Sequence, residues 1–464
     1  MMKRLILVLF GGVLVCASAA SAVDIEGAQP AALDQPRVNV ILRREAKGKA
    51  LAAKADGGLA GLLGGKEDKE AKTINIQAFL DTGASGIMLS GKTAEAMGIK
   101  HTVANREGKQ QPVVFHDIGV GGSDQFQVSE RLFISMMPDS SEADDEKDYS
   151  VGFGPVRTQI SQGGGIIEEL TGGLDVMGMP AMKGRVIVID PRPVNTFGDT
   201  MKVKVLSPRD KQIPATDLNV KLTMVSFARF VRVEPAGSEM PVIAANPMIG
   251  PDPTLPGGVK KGVSAVVARH NGKEVAGTWL LDTGAAASMI SARAAAELGV
   301  KYVAGTEGTD NPKLEGVPAD KQFTLSVGGV GGTKKSAGFY MDELVIPTMQ
   351  QHGIVYKPAP VLVLDINVQD PKTGQLVTLD GVFGMNFMCA SAFVSEGGLM
   401  PDIKNMTAGP YEWIVFDEPK AELGLKIAAQ AGKSKEQGPN GKGKIEIKRS
   451  NPPRQGTGRV TGGR

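Results

Sequence analysis

The sequence has few cysteine, histidine and aromatic residues. Two cysteines and four histidines occur in 464 residues, and aromatic side chains make up 5% of the chain. Cys16 lies in a segment that we expect to be removed, so Cys389 would remain alone and no intramolecular disulfide could form. Cys389 stands in an apolar run, which predicts a buried thiol rather than a nucleophile. The histidines are scattered and no His-Glu-x-x-His motif occurs, so a zinc hydrolase has little basis.

The chain also lacks a strong excess of charge, with 52 basic and 50 acidic residues and a net charge of +2. This balance is an average, because residues 431–464 contain nine Lys or Arg and two Glu, which leaves residues 1–430 with a net charge of −5. The basic segment is rich in Gly and Pro and has no hydrophobic periodicity, so it predicts a disordered tail and no nucleic-acid partner. The tail is either simply solvated or binds an anionic surface such as a membrane or envelope polymer.

Residues 1–22 have the pattern of a secretory signal peptide. Lys3 and Arg4 precede an apolar run over 5–15, and small residues over 17–22 suggest cleavage near Ala22. The apolar run is short for a membrane span. We therefore expect a secreted, periplasmic or cell-envelope protein, and we expect it to be a monomer. An apolar fraction of 42% excludes a polytopic membrane protein and a wholly disordered chain.

An internal duplication organises the rest of the chain. Asp-Thr-Gly-Ala at 81–84 recurs at 282–285, and the two copies align without a gap for twenty residues, nine of them identical. Each copy follows a short apolar segment typical of a buried strand. Ser90 and Ser291 stand where helix N-caps belong, and Gly98 and Gly299 stand at the helix ends. Each half is therefore predicted to contain a strand, an Asp-bearing loop, a second strand and a short helix.

Further elements recur at matched distances. Leu-Asp-Val-Met-Gly at 174–178 corresponds to Leu-Asp-Gly-Val-Phe-Gly at 379–384, and apolar strands that end in Asp follow at 185–190 and 412–417. Glycine clusters at 119–122 and 328–332 predict hairpin tips. Six prolines over 235–256 place the connection between the halves. We divide the chain into a signal peptide (1–22), an N-terminal lobe (23–200), inter-lobe strands with a Pro-rich linker (201–258), a C-terminal lobe (259–430) and the tail (431–464).

With its paired Asp-Thr-Gly motifs, the sequence resembles the aspartic peptidases of the pepsin and retropepsin clan over about residues 37–427. The resemblance implies a mainly β, bilobal acid-protease fold, built from two similar β-barrel-like lobes with short helices. It also implies that Asp81 and Asp282 form a catalytic dyad that acts on an extended peptide or protein substrate, with no metal or cofactor. Two adjacent carboxylates cannot both ionise cheaply, so one can act as base toward a water molecule while the other acts as acid.

The resemblance assigns supporting roles to the neighbours of the two aspartates. Thr82 and Thr283 are expected to hydrogen-bond across the pseudo-twofold axis. Gly83 and Gly284 leave room for backbone N–H groups near the carboxylates. Many pepsins have a hydroxyl residue after this glycine, whereas this chain has alanine at 84 and 285. The missing hydrogen bonds to the carboxylates lead us to expect a pH optimum less acidic than that of a gastric enzyme.

The remaining expectations concern the cover of the cleft and the activity itself. Gly119, Gly121 and Gly122 form the predicted flap. This segment lacks the tyrosine of pepsin-type flaps and is more similar to the Gly-rich flap of retropepsins. A non-catalytic homologue that binds peptides through backbone pairing is the alternative to a peptidase. An envelope-associated structural protein is compatible with either.

Overall fold

The computed structural model describes residues 22–51, 76–119, 122–141, 149–162, 173–194, 199–227, 232–255, 263–329, 332–369, 376–393, 402–429 and 447–449. The predicted signal peptide, apart from Ala22, and most of the predicted tail lie outside these ranges. The described residues are mainly β-strands, as the sequence predicts. Among the helices of these ranges, none has the length and apolar character needed to cross a membrane.

The strands of the first half are β1 (Ala22–Glu26), β2 (Ala31–Ala32), β3 (Arg37–Arg43), β4 (Ile76–Leu80), β5 (Ile87–Leu89), β6 (Val103–Arg106), β7 (Lys109–Pro112), β8 (Val114–Gly119), β9 (Gly122–Val128), β10 (Leu132–Met136), β11 (Val151–Val156), β12 (Gln159–Ile160), β13 (Val176–Met177), β14 (Val186–Asp190), β15 (Lys202–Leu206), β16 (Leu218–Val225), β17 (Arg232–Glu234) and β18 (Asn246–Ile249).

The strands of the second half are β19 (Val266–His270), β20 (Lys273–Gly277), β21 (Trp279–Leu281), β22 (Met289–Ile290), β23 (Lys301–Tyr302), β24 (Leu314–Glu315), β25 (Gln322–Gly329), β26 (Gly332–Met341), β27 (Glu343–Pro347), β28 (Gly353–Lys357), β29 (Ala359–Val363), β30 (Asn367–Gln369), β31 (Leu376–Thr378), β32 (Gly381–Phe383), β33 (Ser391–Phe393), β34 (Asp402–Thr407), β35 (Tyr411–Asp417), β36 (Glu422–Ile427) and β37 (Ile447–Arg449). The α-helices are α1 (Gly91–Ala96), α2 (Met179–Met182) and α3 (Ala292–Glu297), and 3₁₀ turns span Ala319–Lys321 and Met385–Phe387.

The duplication predicted from the sequence is visible in the pairing of the strands. In the first half, β13 runs parallel to β4 and antiparallel to β5. In the second half, β32 runs parallel to β21 and antiparallel to β22. The first set belongs to a sheet in the order β11-β10-β3-β4-β13-β5-β12-β9-β8-β17. The second belongs to a sheet in the order β15-β14-β35-β36-β16-β18-β21-β32-β22-β29-β26-β25. Each half therefore places its Asp-bearing loop at the end of a central strand.

The two strands that close the repeats lie side by side. Strands β14 and β35 pair antiparallel, with Val188 opposite Val415, and the hairpin partners β15 and β36 extend the sheet on either side. All five residues of β14 are buried. The equivalent strands of the two halves thus form one shared layer, and the pseudo-twofold axis that relates the halves passes between them.

The N-terminal strand belongs to a sheet of the second half. Strand β1 runs parallel to β28, within a sheet in the order β20-β19-β27-β28-β1-β37. On its other side, β1 pairs with β37 at residues 447–449, which fall in the tail that we predicted to be disordered. The backbone of 447–449 is thus a strand. For the rest of the tail, which lies outside the described residues, disorder stays a prediction.

Both short helices after the Asp-bearing loops begin where the sequence predicts. The Ser90 and Ser291 hydroxyls each accept a hydrogen bond at 3.1 Å, from the backbone N–H of Thr93 and of Ala294. The helices end at Met97 and Leu298. The next residues, Gly98 and Gly299, have φ angles of 62° and 89°, a left-handed conformation that glycine adopts without strain.

Candidate active site

The two Asp-Thr-Gly loops are built in the same way. Asp81 follows β4 and its N–H donates to the Met177 carbonyl at 3.1 Å, while Asp282 follows β21 and donates to Phe383 at 3.0 Å. The acceptors lie in the second recurring element of each half. The position of this element also explains why it contains a glycine, because a Cβ atom on Gly178 would overlap the carbonyl oxygens of the first loop. The second element is therefore the support on which each Asp-bearing loop rests.

The threonines of the two loops lock the halves together. The Thr82 N–H donates to the Thr283 hydroxyl at 3.0 Å, and the Thr283 N–H donates to the Thr82 hydroxyl at 3.0 Å. The Thr82 hydroxyl in turn donates to the Leu281 carbonyl at 2.7 Å, and the Thr283 hydroxyl to the Leu80 carbonyl at 2.6 Å. Both threonines are buried. The pairing across the pseudo-twofold axis that the resemblance implies is present in the structure.

Removing either hydroxyl should destabilise the contact between the halves. We expect Thr82→Val to lower the free energy of unfolding by about 1–3 kcal/mol, because it leaves a buried carbonyl and a buried N–H without partners. Thr82→Ser keeps the hydroxyl and should cost much less. Urea denaturation of both variants measures the difference, and equal stability of the Val and Ser variants would contradict this assignment.

The Asp81 and Asp282 carboxyl groups lie next to each other, and each lies against the Asp-Thr-Gly glycine of the opposite half. The Asp81 Oδ1 atom also accepts the N–H groups of Gly83 at 2.7 Å and Ala84 at 3.1 Å. The Asp282 Oδ1 atom accepts the N–H of Gly284 at 2.8 Å. Both aspartates are partly exposed, which leaves one side of the pair open to water or a ligand.

The surroundings affect the two carboxyl groups unequally. Burial raises the pKa of Asp81, but hydrogen bonds from Asp282 and from backbone N–H groups counteract this effect. The pKa of Asp282 lies well above its usual range, because burial, the Asp81 charge and the hydrogen bond to Asp81 all raise it. The two carboxyl groups therefore titrate as one unit and share a single proton over a wide pH range.

The glycines after the threonines have a more specific role than the sequence indicates. A Cβ atom at Gly83 would lie 2.5 Å from Cγ of Asp282, and one at Gly284 would collide with the Asp81 carboxyl group. Each glycine thus makes room for the carboxyl group of the opposite half, as well as for its own backbone N–H. The absence of a side chain at both positions is what allows the two carboxyl groups to meet.

The predicted flap is the tip of the hairpin of β8 and β9, where Gly119 pairs with Gly122. Gly121 lies outside the described residues. The second half has a corresponding hairpin of β25 and β26, with Gly329 paired to Gly332, which confirms that both glycine clusters stand at hairpins. Both tips have the sequence Gly-Val-Gly-Gly, at 119–122 and 329–332. The sequence predicts a flap at the first tip alone.

Two amide side chains that the sequence analysis did not select also contact the Asp-Thr-Gly loops. Asn246 donates from Nδ2 to the carbonyls of Thr82 and Gly83, both at 2.9 Å, and Gln35 donates from Nε2 to the carbonyl of Gly284. The sequence does not single them out: each amide directly precedes a proline, at 35–36 and 246–247, but the same pairs also occur at 29–30 and 311–312.

Other candidate groups lie apart from this chemistry. Cys389 is fully buried, and burial raises its pKa to about 12, which agrees with the predicted structural thiol and argues against a nucleophile. Within the described ranges, no cluster of three or more His, Cys, Asp or Glu side chains could hold a metal ion.

Two Asp-Thr-Gly loops, joined through their threonines in a duplicated β fold, are the arrangement that the resemblance to aspartic peptidases implies. Residues 266–387, which contain the second loop, match the family model described as aspartyl protease. The predicted resemblance to peptidases of the pepsin and retropepsin type is confirmed by this match in the second half of the chain. The chain is also similar to an aspartic proteinase from Irpex lacteus, at 11% identity and a TM-score of 0.38, over 88% of this chain and 98% of that one. A search of curated proteins finds no match.

Proposed function

We propose that this protein is an exported aspartic endopeptidase that hydrolyses peptide bonds with a water molecule activated by Asp81 and Asp282. The observation that carries the proposal is the juxtaposition of these two carboxyl groups, each of which lies against the Asp-Thr-Gly glycine of the other half. It is supported by loops that are locked to each other across the two halves through the threonine hydroxyls. Export is supported by the signal-peptide pattern of residues 1–22.

The pair shares one proton, so its two carboxyl groups can act together. The ionised member removes a proton from the attacking water, and the protonated member donates a hydrogen bond to the substrate carbonyl oxygen. Attack of the water oxygen on the carbonyl carbon gives a tetrahedral intermediate, in which the carbonyl oxygen has received the proton of the protonated member. The proton taken up by the other member then passes to the nitrogen of the leaving amine as the C–N bond breaks, and the first member recovers its proton from the intermediate.

An extended peptide is the substrate that suits this site. Hairpins with Gly-Val-Gly-Gly tips occur in both halves, and backbone N–H and C=O groups of such hairpins can pair with an extended chain. We therefore propose that the second hairpin acts as a flap together with the first.

The test is cleavage of a mixture of peptides of diverse sequence by the purified protein, followed by mass spectrometry. Asp81→Asn, prepared in the same way, is the control for a contaminating protease. New peptide termini with the wild-type protein alone would support the proposal. Binding of peptides without cleavage between about pH 3 and 8 would instead favour a non-catalytic peptide-binding protein. Amino-terminal sequencing of the protein from the culture medium or periplasm tests cleavage near Ala22.

We expect the pH optimum to be less acidic than that of a gastric-type enzyme. One carboxyl group of the pair must be ionised and the other protonated, and the alanines at 84 and 285 offer no hydroxyl that could lower the pKa of the ionised one. The rise of kcat/KM on the acidic side should therefore lie at higher pH. A profile of kcat/KM against pH checks this, and activity that still increases toward strongly acidic pH would contradict it.

A further inference from the structure

Two segments of the chain cross from one sheet to the other beside the Asp-Thr-Gly loops. Residues 27–36 leave β1, in a sheet of the second half, and enter β3, in the sheet of the first half. Residues 235–245 leave β17, in the sheet of the first half, and enter β18, in a sheet of the second half. Each segment runs along the Asp-bearing loop of the half that it leaves.

The two crossing segments make equivalent contacts with the two loops. The Ala32 N–H donates to the Ala286 carbonyl at 2.8 Å, and the Ala244 N–H donates to the Ser85 carbonyl at 2.8 Å. Ser85 and Ala286 occupy the same position in the aligned repeats. Gln35 lies three residues after Ala32, and Asn246 lies two residues after Ala244, at the start of β18. Their amide side chains donate to the carbonyls of Gly284 and Gly83, which are again equivalent positions.

The carbonyls bound by Asn246 belong to two particular peptide groups. A peptide group is planar, so the carbonyl of Thr82 and the N–H of Gly83 are held in one rigid unit, as are the carbonyl of Gly83 and the N–H of Ala84. These two N–H groups are the backbone donors to Asp81 Oδ1. Asn246 therefore binds the outer ends of the two peptide groups whose inner ends bind the carboxylate. Hydrogen bonds at both ends of a peptide group also strengthen each other.

Asn246 is well placed for this role. It is fully buried, and its Oδ1 atom accepts the Ser85 hydroxyl at 2.5 Å, which fixes the orientation of the amide. In the other half, Gln35 binds the carbonyl of Gly284. That carbonyl shares a peptide group with the N–H of Ala285, which donates to the Asp282 backbone carbonyl at 3.4 Å and lies beside the Asp282 carboxyl group.

We propose that Asn246 and Gln35 are a pair of positioning residues, each of which aims the backbone N–H groups of one Asp-Thr-Gly loop at its aspartate from a segment that enters the opposite half. The inference rests on the proposed function for its kinetic consequences. The arrangement makes the geometry of each carboxyl group depend on how the two halves are docked.

The kinetic test compares Asn246→Ala and Gln35→Ala with the wild-type protein. Both should lower kcat, by about 10- to 100-fold and by about 3- to 10-fold respectively, with little change in KM, because the reacting groups are misplaced by a fraction of an ångström. A hydrogen bond to an ionised carboxyl group lowers its pKa. Both variants should therefore raise the apparent pKa values of the pair and move the kcat/KM profile to higher pH.

Gln322→Ala is the matched control. The Gln322 amide also donates to two backbone carbonyls, those of Leu314 and Val317, both at 2.8 Å. Its removal should lower the melting temperature and leave the pH profile unchanged. If Asn246→Ala and Gln35→Ala behave like this control, the two amides are merely structural and the proposal is overturned. If Asn246→Ala does not fold, the comparison of Gln35→Ala with Gln322→Ala tests the proposal, because Gln35 is only half-buried.

A readout without substrate separates this proposal from the proposed function. In protein labelled with ¹³C at the Asp carboxyl carbons, the signals lost in Asp81→Asn and Asp282→Asn identify the pair, and their titration gives its apparent pKa values. A shift of those values in Gln35→Ala or Asn246→Ala, but not in Gln322→Ala, supports the positioning role even if the wild-type protein cleaves no peptide. Unchanged titration curves in both variants would overturn it.

Discussion

Replacement of Asp81 by Asn is expected to reduce peptide hydrolysis by about 10²- to 10⁴-fold, because the one carboxyl group that remains cannot act as base toward the water and as acid toward the substrate carbonyl at the same time. The asparagine amide can still accept the N–H groups of Gly83 and Ala84 through its oxygen, so the loop should keep its shape. Asp282→Asn should cause a comparable loss, since an amide cannot supply the proton needed by the tetrahedral intermediate. Initial rates across a range of pH measure both effects.

The matched control is Asp190→Asn, which changes another buried carboxylate without touching the pair. Asp190 ends β14, and its carboxylate binds Arg192 at 2.8 Å. This variant should keep most of its activity. Loss of activity in all three variants together would point to general damage to the fold, and retention of activity in Asp81→Asn would exclude the proposed mechanism.

Asp282→Asn should have a second, opposite effect on stability. A carboxyl group whose pKa is raised by folding binds its proton more tightly in the folded state. Below the pKa that this carboxyl group has in the unfolded chain, it is protonated in both states and costs no stability. The wild-type protein then loses stability as the pH rises from that value through the raised pKa of Asp282 in the folded state. Asparagine does not titrate. The melting temperature of the variant should exceed that of the wild-type protein at neutral pH, and the difference should shrink on acidification.

The parts of the fold that follow the duplication could be predicted from the sequence. Local signals sufficed for the strand before each Asp-Thr-Gly motif, for the N-caps at Ser90 and Ser291 and for the glycine-rich hairpins. These features depend on residues close together in the chain, through periodicity, capping and turn chemistry. The repeat itself then indicated that the two Asp-bearing loops should be equivalent.

Pairing between distant segments could not be predicted in this way. Strand β1 pairs with β28, more than 300 residues away, and β14 pairs with β35. The apolar pattern of these strands shows that they are buried but does not specify which strand is their neighbour. For the same reason, Gln35 and Asn246 looked like ordinary polar residues before proline, because their importance lies in carbonyls that only the folded chain brings near.

The glycines show how a residue type can be predicted while its reason is found only in the structure. The sequence indicates that Gly83 and Gly284 lie in tight loops next to the aspartates. In the structure, each faces the carboxyl group of the other half. Gly83→Ala should therefore reduce kcat/KM by about 100-fold or more, because the new methyl group and the Asp282 carboxyl group cannot occupy the same space and the reacting groups are displaced.

Gly353→Ala is the control for an added methyl group in a β structure, since its nearest neighbour would be Cγ1 of Val345 at 3.1 Å, which has to give by only a few tenths of an ångström. A double mutant tests the cause. If the cost in stability of Gly83→Ala comes from the Asp282 carboxyl group, truncation of that side chain in Asp282→Ala should remove most of it. The double mutant should then be nearly as stable as Asp282→Ala alone. If the double mutant instead loses as much stability as the two single mutants together, Gly83 is required for another reason, such as the path of its own loop.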